Sequence, residues 1–224
     1  MNLIGHRGVA GLELENTETS LNRAVNMGLQ AVEFDVRKTK DKKLVLCHDS
    51  DISRISKRTD RVADLTLEEL KNIPLLDGSR MPTLEEALDI VEGIQVIIEV
   101  KDEGCGRELQ RILRVRPLPL ISVASFKLRE LAVYQNLNIR NDLYGLERTK
   151  PYDIIHLAKT LRLDGIGLNF WLLNPLTYYL CKRAKLKLYV YTVNNVFIGR
   201  LLSVLYPDVL ICTDYPHKFS EKLQ

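Results

Sequence analysis

Eight short apolar runs recur along this 224-residue chain, and most are followed by a stretch with helical spacing. The runs cover 2–5, 31–36, 95–100, 120–124, 139–144, 165–168, 186–193 and 209–212. They are short, often β-branched and bounded by glycine or polar residues, which is how strands buried on both faces read. Between them, Leu21, Ala24 and Val25 share a helical face behind a cap at Asn16 or Thr17. Thr66 with Glu69, and Thr83 with Glu86, match the capping box, in which each residue satisfies an unpaired backbone N–H. Leu84, Ala87, Leu88 and Val91 continue the second box. Further faces come from Leu128, Leu131 and Ala132, and from Ile154, Ile155, Ala158 and Leu161. Asn174 before Pro175 reads as an N-cap and a first-turn proline. Phe197, Ile198, Leu201, Leu202 and Leu205 give the last stripe. Eight strand–helix units imply a (β/α)8 TIM barrel; an open doubly wound sheet is the runner-up, because barrels usually run to about 250 residues. No linker divides the chain, so a single domain over 1–224 is expected.

One segment breaks the alternation. The second run is followed at once by another, 44–47, with too little chain between them for a crossover helix. Strands so closely joined must pair antiparallel. A two-residue turn at Asp41 and Lys42 would set Lys40 against Lys43 and Asp35 opposite His48.

Charge appears where strands end. The first run leads into His6 and Arg7; the second carries Glu33 and Asp35 on one face; the hairpin partner ends at His48; the third parallel run carries Glu99 and Lys101. Each such group alone has an ordinary structural explanation, a satisfied histidine or an ion pair. Their convergence at adjacent strand ends has a chemical one, because a charge in a buried strand is costly unless paired or metal-bound. Three carboxylates suit Mg2+ or Ca2+ better than zinc. Arg7 and Lys101 can hold phosphate oxygens, and two histidines can exchange protons near neutral pH. That set fits metal-assisted phosphodiester cleavage.

These residues also carry a family resemblance. Ile4, Gly5, His6, Arg7 and Gly8, followed by Glu15, Asn16 and Thr17, resemble the opening of glycerophosphodiester phosphodiesterases. The stretches 32–36, 39–41, 48–49, 82–86, 98–101, 189–194 and 213–216 are similar to later blocks of that family. The resemblance implies a TIM barrel with a β-hairpin and a short insertion after the second strand, here about 50–81. It implies that His6 and His48 are the acid–base pair, that Glu33, Asp35 and Glu99 bind the metal, and that Arg7 and Lys101 contact phosphate. Glu15 and Asn16 would lie near the site mouth, with Asn16 as readily a helix cap. Ser125, Phe126, Asn169 and Asn194 are weaker lining candidates, Asn194 for substrate. Leu14, Lys42, Lys127 and Tyr191 depart from the family pattern; Lys42 stands where glycine often completes the hairpin turn, so a positive φ there would carry strain.

The implied reaction is hydrolysis of a small-molecule glycerophosphodiester to glycerol 3-phosphate and an alcohol. One alternative is a lysophospholipase D or sphingomyelinase D-like enzyme on the same scaffold, whose acyl chain would need a groove. Trp171, Leu172 and Leu173 follow a strand end and could line one, although ordinary core is the better reading for them. The other alternative is a non-catalytic phosphate-binding barrel, which would not need two histidines. Lys plus Arg number 32 against 29 acids, a net charge of +3. That is too small and dispersed for nucleic acid or an anionic membrane surface, and the basic stretches 38–43 and 182–187 read as solvated element ends. No run is long enough for a membrane helix, so no stable membrane insertion is expected. The four cysteines show no metal spacing, and with no signal-peptide pattern the expected location is cytoplasmic.

Overall fold

The computed structural model of the protein describes residues 1–115, 120–137, 139 and 141–219. In chain order its elements are β1 Leu3–His6, α1 Glu18–Asn26, β2 Ala31–Lys38, β3 Leu44–Leu46, α2 Leu67–Lys71, α3 Leu84–Ile90, β4 Gln95–Val100 and α4 Gly106–Val115. There follow β5 Ile121–Ser125, α5 Leu128–Asn136, β6 Asp142–Glu147, α6 Pro151–Thr160, β7 Gly165–Asn169, α7 Pro175–Arg183, β8 Lys187–Tyr191, α8 Val196–Leu205 and β9 Leu210–Thr213.

Every strand but β3 pairs parallel with its neighbours, in the order β1-β9-β8-β7-β6-β5-β4-β2, and β2 returns to β1. The sheet is therefore a closed eight-stranded barrel with helices outside, not an open doubly wound sheet. Closure divides the apolar side chains. Ile4, Ala31, Ile97, Ala124, Tyr144, Leu146, Tyr189 and Cys212 fill the interior, while Val32, Phe34, Val36, Val96, Ile98 and Val100 pack against the helix layer. Both capping boxes form, at Thr66 and Thr83, and Asn174 and Pro175 open α7 as their order suggests.

Local departures have local causes. β6 begins three residues later than the apolar run 139–144: Ile139 packs into the core ahead of it, and Arg140 of that run lies outside the described residues. α4 was missed, although Leu109, Ile112 and Leu113 have the i, i+3, i+4 spacing of its buried face. The hairpin register is one residue off expectation. Lys38 pairs with Leu44, the Thr39 amide donates to the Lys43 carbonyl at 2.9 Å, and Lys40, Asp41 and Lys42 make a three-residue loop. Lys42 takes a φ of 65°, the left-handed residue that closes such a loop. Asp35 consequently faces Cys47, whose amide donates to the Asp35 carbonyl at 3.1 Å, and His48 lies one residue further on.

Between β3 and α3 the chain builds a small core of its own from Val45, Cys47, Ile52, Ile55, Val62, Leu70, Ile73, Leu75 and Met81. After β7, Leu173 is buried but Trp171, in the short 3-10 turn Phe170–Leu172, is 75% exposed, so the core reading fails for it. The α8 stripe also divides. Gly199 and Leu202 face the barrel, whereas Phe197 and Leu201, at i and i+4, face outward with Val204 and Leu205. No helix among the described residues is long and apolar enough to cross a membrane.

Candidate active site

Because side chains alternate along a strand, placing Val32, Phe34 and Val36 against the helices turns Glu33 and Asp35 into the barrel. Register does the rest. Glu33 stands beside His6 of β1, and Asp35 beside Glu99 of β4. One oxygen from each of Glu33, Asp35 and Glu99 lies within 4.8 Å of the others. Lys101, just past β4, approaches Asp35 Oδ1 at 2.8 Å and also donates to Glu99.

The loop after β1 closes over this cluster. Arg7 has a φ of 52° and Asn16 of 56°, conformations that cost a side-chain-bearing residue about 1–3 kcal/mol and persist only when surroundings enforce them. Gly8 helps enforce them: its φ is 83°, and a Cβ there would stand 2.4 Å from Ser20 Oγ of α1. The Arg7 amide then donates to Glu33 Oε2 at 3.1 Å, while its guanidinium reaches Asp35 at 3.2 Å and Glu15 at 2.8 Å. Asn16 grips Asp35 twice: Nδ2 donates to Oδ2 at 3.0 Å, and Oδ1 accepts from the Asp35 amide at 3.1 Å. Capping of α1 falls to Thr17 instead.

Three carboxylates with two cations cannot all be equally satisfied. Burial would raise Asp35, but Lys101 and Arg7 outweigh it and hold the carboxyl down at about 2. Burial and the neighbouring Asp35 charge push Glu33 up to about 8. Burial also raises Glu99, against the pull of Lys101. A buried carboxyl driven so far from its ordinary range lacks positive charge, and an oxygen-liganded divalent cation suits the three-carboxylate donor set. A second grouping of His6, Glu33 and Cys212 exists, but burial raises the Cys212 thiol far above its usual value, away from the thiolate a soft metal needs.

Each histidine has its own carboxylate. His6 Nδ1 lies 2.6 Å from Asp214 Oδ1, with Nε2 3.9 Å from Glu33. His48 Nδ1 lies 2.7 Å from Asp49. Their titrations diverge. Burial disfavours the charged form of His6, yet the Asp214 hydrogen bond and the Glu33 charge raise its pKa overall. Burial lowers that of His48, assisted by the charges of Lys101 and Arg7.

Neither aspartate was given a role from sequence. Asp49 simply follows His48, and Asp214 is 208 residues from its partner; its signals were a place just past the last strand and within the family-like stretch 213–216. Asn194 sits on Asp214, with Nδ2 donating to Oδ2 at 2.6 Å and Oδ1 accepting from the Asp214 amide at 3.0 Å. Arg54 was also missed: it bonds both Glu15 and Asp49, the latter at 2.6 Å. Ser125 Oγ donates to the Val100 carbonyl, and Asn169 accepts from the Trp171 amide, so both support backbone. Phe126 lies edge-on to Tyr191, ring centres 6.2 Å apart, beneath the Arg148 guanidinium.

Comparison with known proteins agrees with this arrangement. A sequence model described as "Glycerophosphoryl diester phosphodiesterase family" matches residues 6–218. A glycerophosphodiester phosphodiesterase of Bacillus subtilis is 33% identical over 96% of this chain and 84% of its own length. A human lysophospholipase D is 32% identical over 44% of this chain and 35% of its own. Among solved structures, an Oleispira antarctica phosphodiesterase in complex with the product sn-glycerol-3-phosphate superposes with a TM-score of 0.90 at 24% identity, covering 100% of this chain and 96% of that one.

Proposed function

The chain belongs to the glycerophosphoryl diester phosphodiesterase family, and on that premise we propose that it hydrolyses glycerophosphodiesters to glycerol 3-phosphate and a free alcohol, using one divalent cation, Mg2+ or Ca2+. Glu33, Asp35 and Glu99 would hold the cation, which when bound neutralises and orients the phosphate. Arg7 and Lys101 take the remaining phosphate oxygens. Glu15 and Asn16 fix Arg7 and Asp35, and Asn194 fixes Asp214. The catalytic unit is one domain over 1–224, with 50–81 an insertion.

The two histidines divide the proton work. His48, kept neutral by burial and nearby cations, accepts the proton of the attacking hydroxyl, whether from water or from the glycerol 2-hydroxyl. As the new O–P bond forms, the bond from phosphorus to the alcohol breaks. His6, holding its proton against Asp214, gives it to the leaving oxygen. With the glycerol hydroxyl as nucleophile, a cyclic phosphate forms first and water opens it. Pushing two like groups apart in pKa is how one site supplies both acid and base.

The observation that carries this reading is the pair of imidazoles, each engaged at Nδ1 by its own carboxylate, adjoining three mutually close carboxylates. The test is a panel of glycerophosphodiesters assayed by phosphorus NMR after EDTA treatment and after return of each metal. Metal-restored release of glycerol 3-phosphate is expected. Full turnover in EDTA would reject the metal role, and full activity of His6→Ala would reject the acid. A second reading, lysophospholipase D activity, is favoured by the exposure of Trp171 just past β7; relative turnover of glycerophosphocholine and lysophosphatidylcholine separates the two.

A further inference from the structure

A surface helix of a barrel normally buries one apolar stripe and shows water a polar face. α8 does not. Phe197, Leu201, Val204 and Leu205 project outward at i, i+4, i+7 and i+8, with Phe197 76% and Val204 77% exposed. The next helix in barrel order, α7, exposes Leu176 and Tyr179 on its own outer face. Trp171 precedes it on the same side of the barrel. Large apolar side chains gathered on adjoining helix faces mark an interaction surface, unlike the singly scattered apolar residues of an ordinary monomer surface.

Charge says what covers it. The whole stretch 165–207 contains no aspartate or glutamate but carries Lys182, Arg183, Lys185, Lys187 and Arg200. Asp208 engages Lys182, and Asp142 engages Lys187. Arg183, Lys185 and Arg200 have no ion-pair partner among the described residues. An apolar face with an aromatic at its edge, flanked by unpaired cations and with its neighbouring acid, Asp208, engaged by Lys182, has the composition of a helix surface that lies in an anionic lipid interface. A second copy suits it poorly. In a twofold contact the face meets itself, and its cations would meet cations with no acid from this stretch to receive them. The modest net charge of the chain hides this segregation, which is why a membrane surface looked unsupported from composition.

We propose that the outer face of α7 and α8 docks the protein peripherally on anionic phospholipid bilayers. Trp171, Leu176 and Phe197 all lie in the first turns after β7 and β8, the same end of the barrel that carries the catalytic residues. Docking therefore holds the site mouth beside the lipid surface, without any segment spanning it.

Cosedimentation with vesicles of phosphatidylcholine, alone or mixed with phosphatidylglycerol, tests this. The protein should pellet with the mixed vesicles and far less with phosphatidylcholine alone, and added salt should release it. Phe197→Asp with Val204→Asp should weaken binding by at least about tenfold, and Arg183→Glu with Arg200→Glu should abolish the preference for anionic lipid. Both variants alter exposed positions and should retain the circular dichroism spectrum and wild-type turnover of water-soluble glycerophosphocholine. Loss of that turnover in the wild type would tell against the reaction and leave docking readable. Background pelleting with both vesicles, or undiminished binding by the aspartate variant, would overturn the proposal. So would a lipid-free dimer in sedimentation velocity that the aspartate variant splits.

Discussion

The interior of the barrel mouth and the outside of α8 break the usual arrangement of polarity in opposite directions. In the mouth, Glu33 and Asp35 are buried among apolar strands; on α8, phenylalanine and valine are left facing out. The two irregularities are held differently. The best-held charge in the mouth, Asp35, is gripped by Arg7, Lys101 and Asn16 at once, while Glu33 is left short of positive charge. The α8 face stands exposed, and the helix is anchored from its other side through Gly199 and Leu202. A buried charge must be supported where it stands, whereas an exposed apolar face costs the fold little and matters only when something covers it.

Removing support from the mouth should produce the largest effects. Asp35→Ala leaves Arg7 and Lys101 buried without their shared partner, so it should cost about 3–5 kcal/mol in denaturant unfolding and abolish metal-dependent turnover. His6→Ala should leave stability nearly intact while lowering kcat/KM about 10^2–10^4-fold. Asp214→Asn tests the positioning role separately. The hydrogen bond to Asp214 raises the His6 pKa, so its loss should shift the alkaline limb of the kcat/KM profile to lower pH, with a smaller fall in maximal rate.

pH reports on the same contrast. Glu33 has a folded-state pKa raised to about 8 from 4.5. Between those values the folded state retains a proton that the unfolded chain has released, so stability is greatest below about 4.5 and declines as pH rises towards 8. Metal-free protein should lose up to about 5 kcal/mol across that window in thermal or denaturant melts, and saturating Mg2+ or Ca2+ should restore it. A flat profile without metal would mean that Glu33 is already compensated. The smallest effect belongs to the outer face: Val204→Ala should change stability by about 0.5 kcal/mol or less, against about 2–5 kcal/mol for Leu202→Ala two residues away.

Most of the barrel could be read from the chain because a parallel strand covered on both faces leaves an uninterrupted apolar run. The acidic residues of β2 stood out for the same reason, as charges inside such runs. What escaped depended on distances that periodicity does not encode. Asp214 reaches His6 only because β9 closes the barrel against β1. The hairpin register turned on one residue, Lys42 accepting a left-handed backbone so that the loop has three members rather than two. Asn16 and Thr17 both had the sequence environment of a helix cap, and only the fold shows that Thr17 takes that place while Asn16 turns to Asp35. The α8 stripe was visible, but a stripe shows which residues share a face and not what lies across from it.

Arg54 ties two halves of the site together. It comes from the segment between β3 and α3, holds Glu15 behind Arg7 with one part of its guanidinium, and holds Asp49 behind His48 with another. Anion grip and proton acceptance thus share a single strut. A protease nick beside Arg54 that left the barrel folded would be expected to weaken substrate affinity and turnover in step, and a fall in one without the other would show that the strut bears on only one of them.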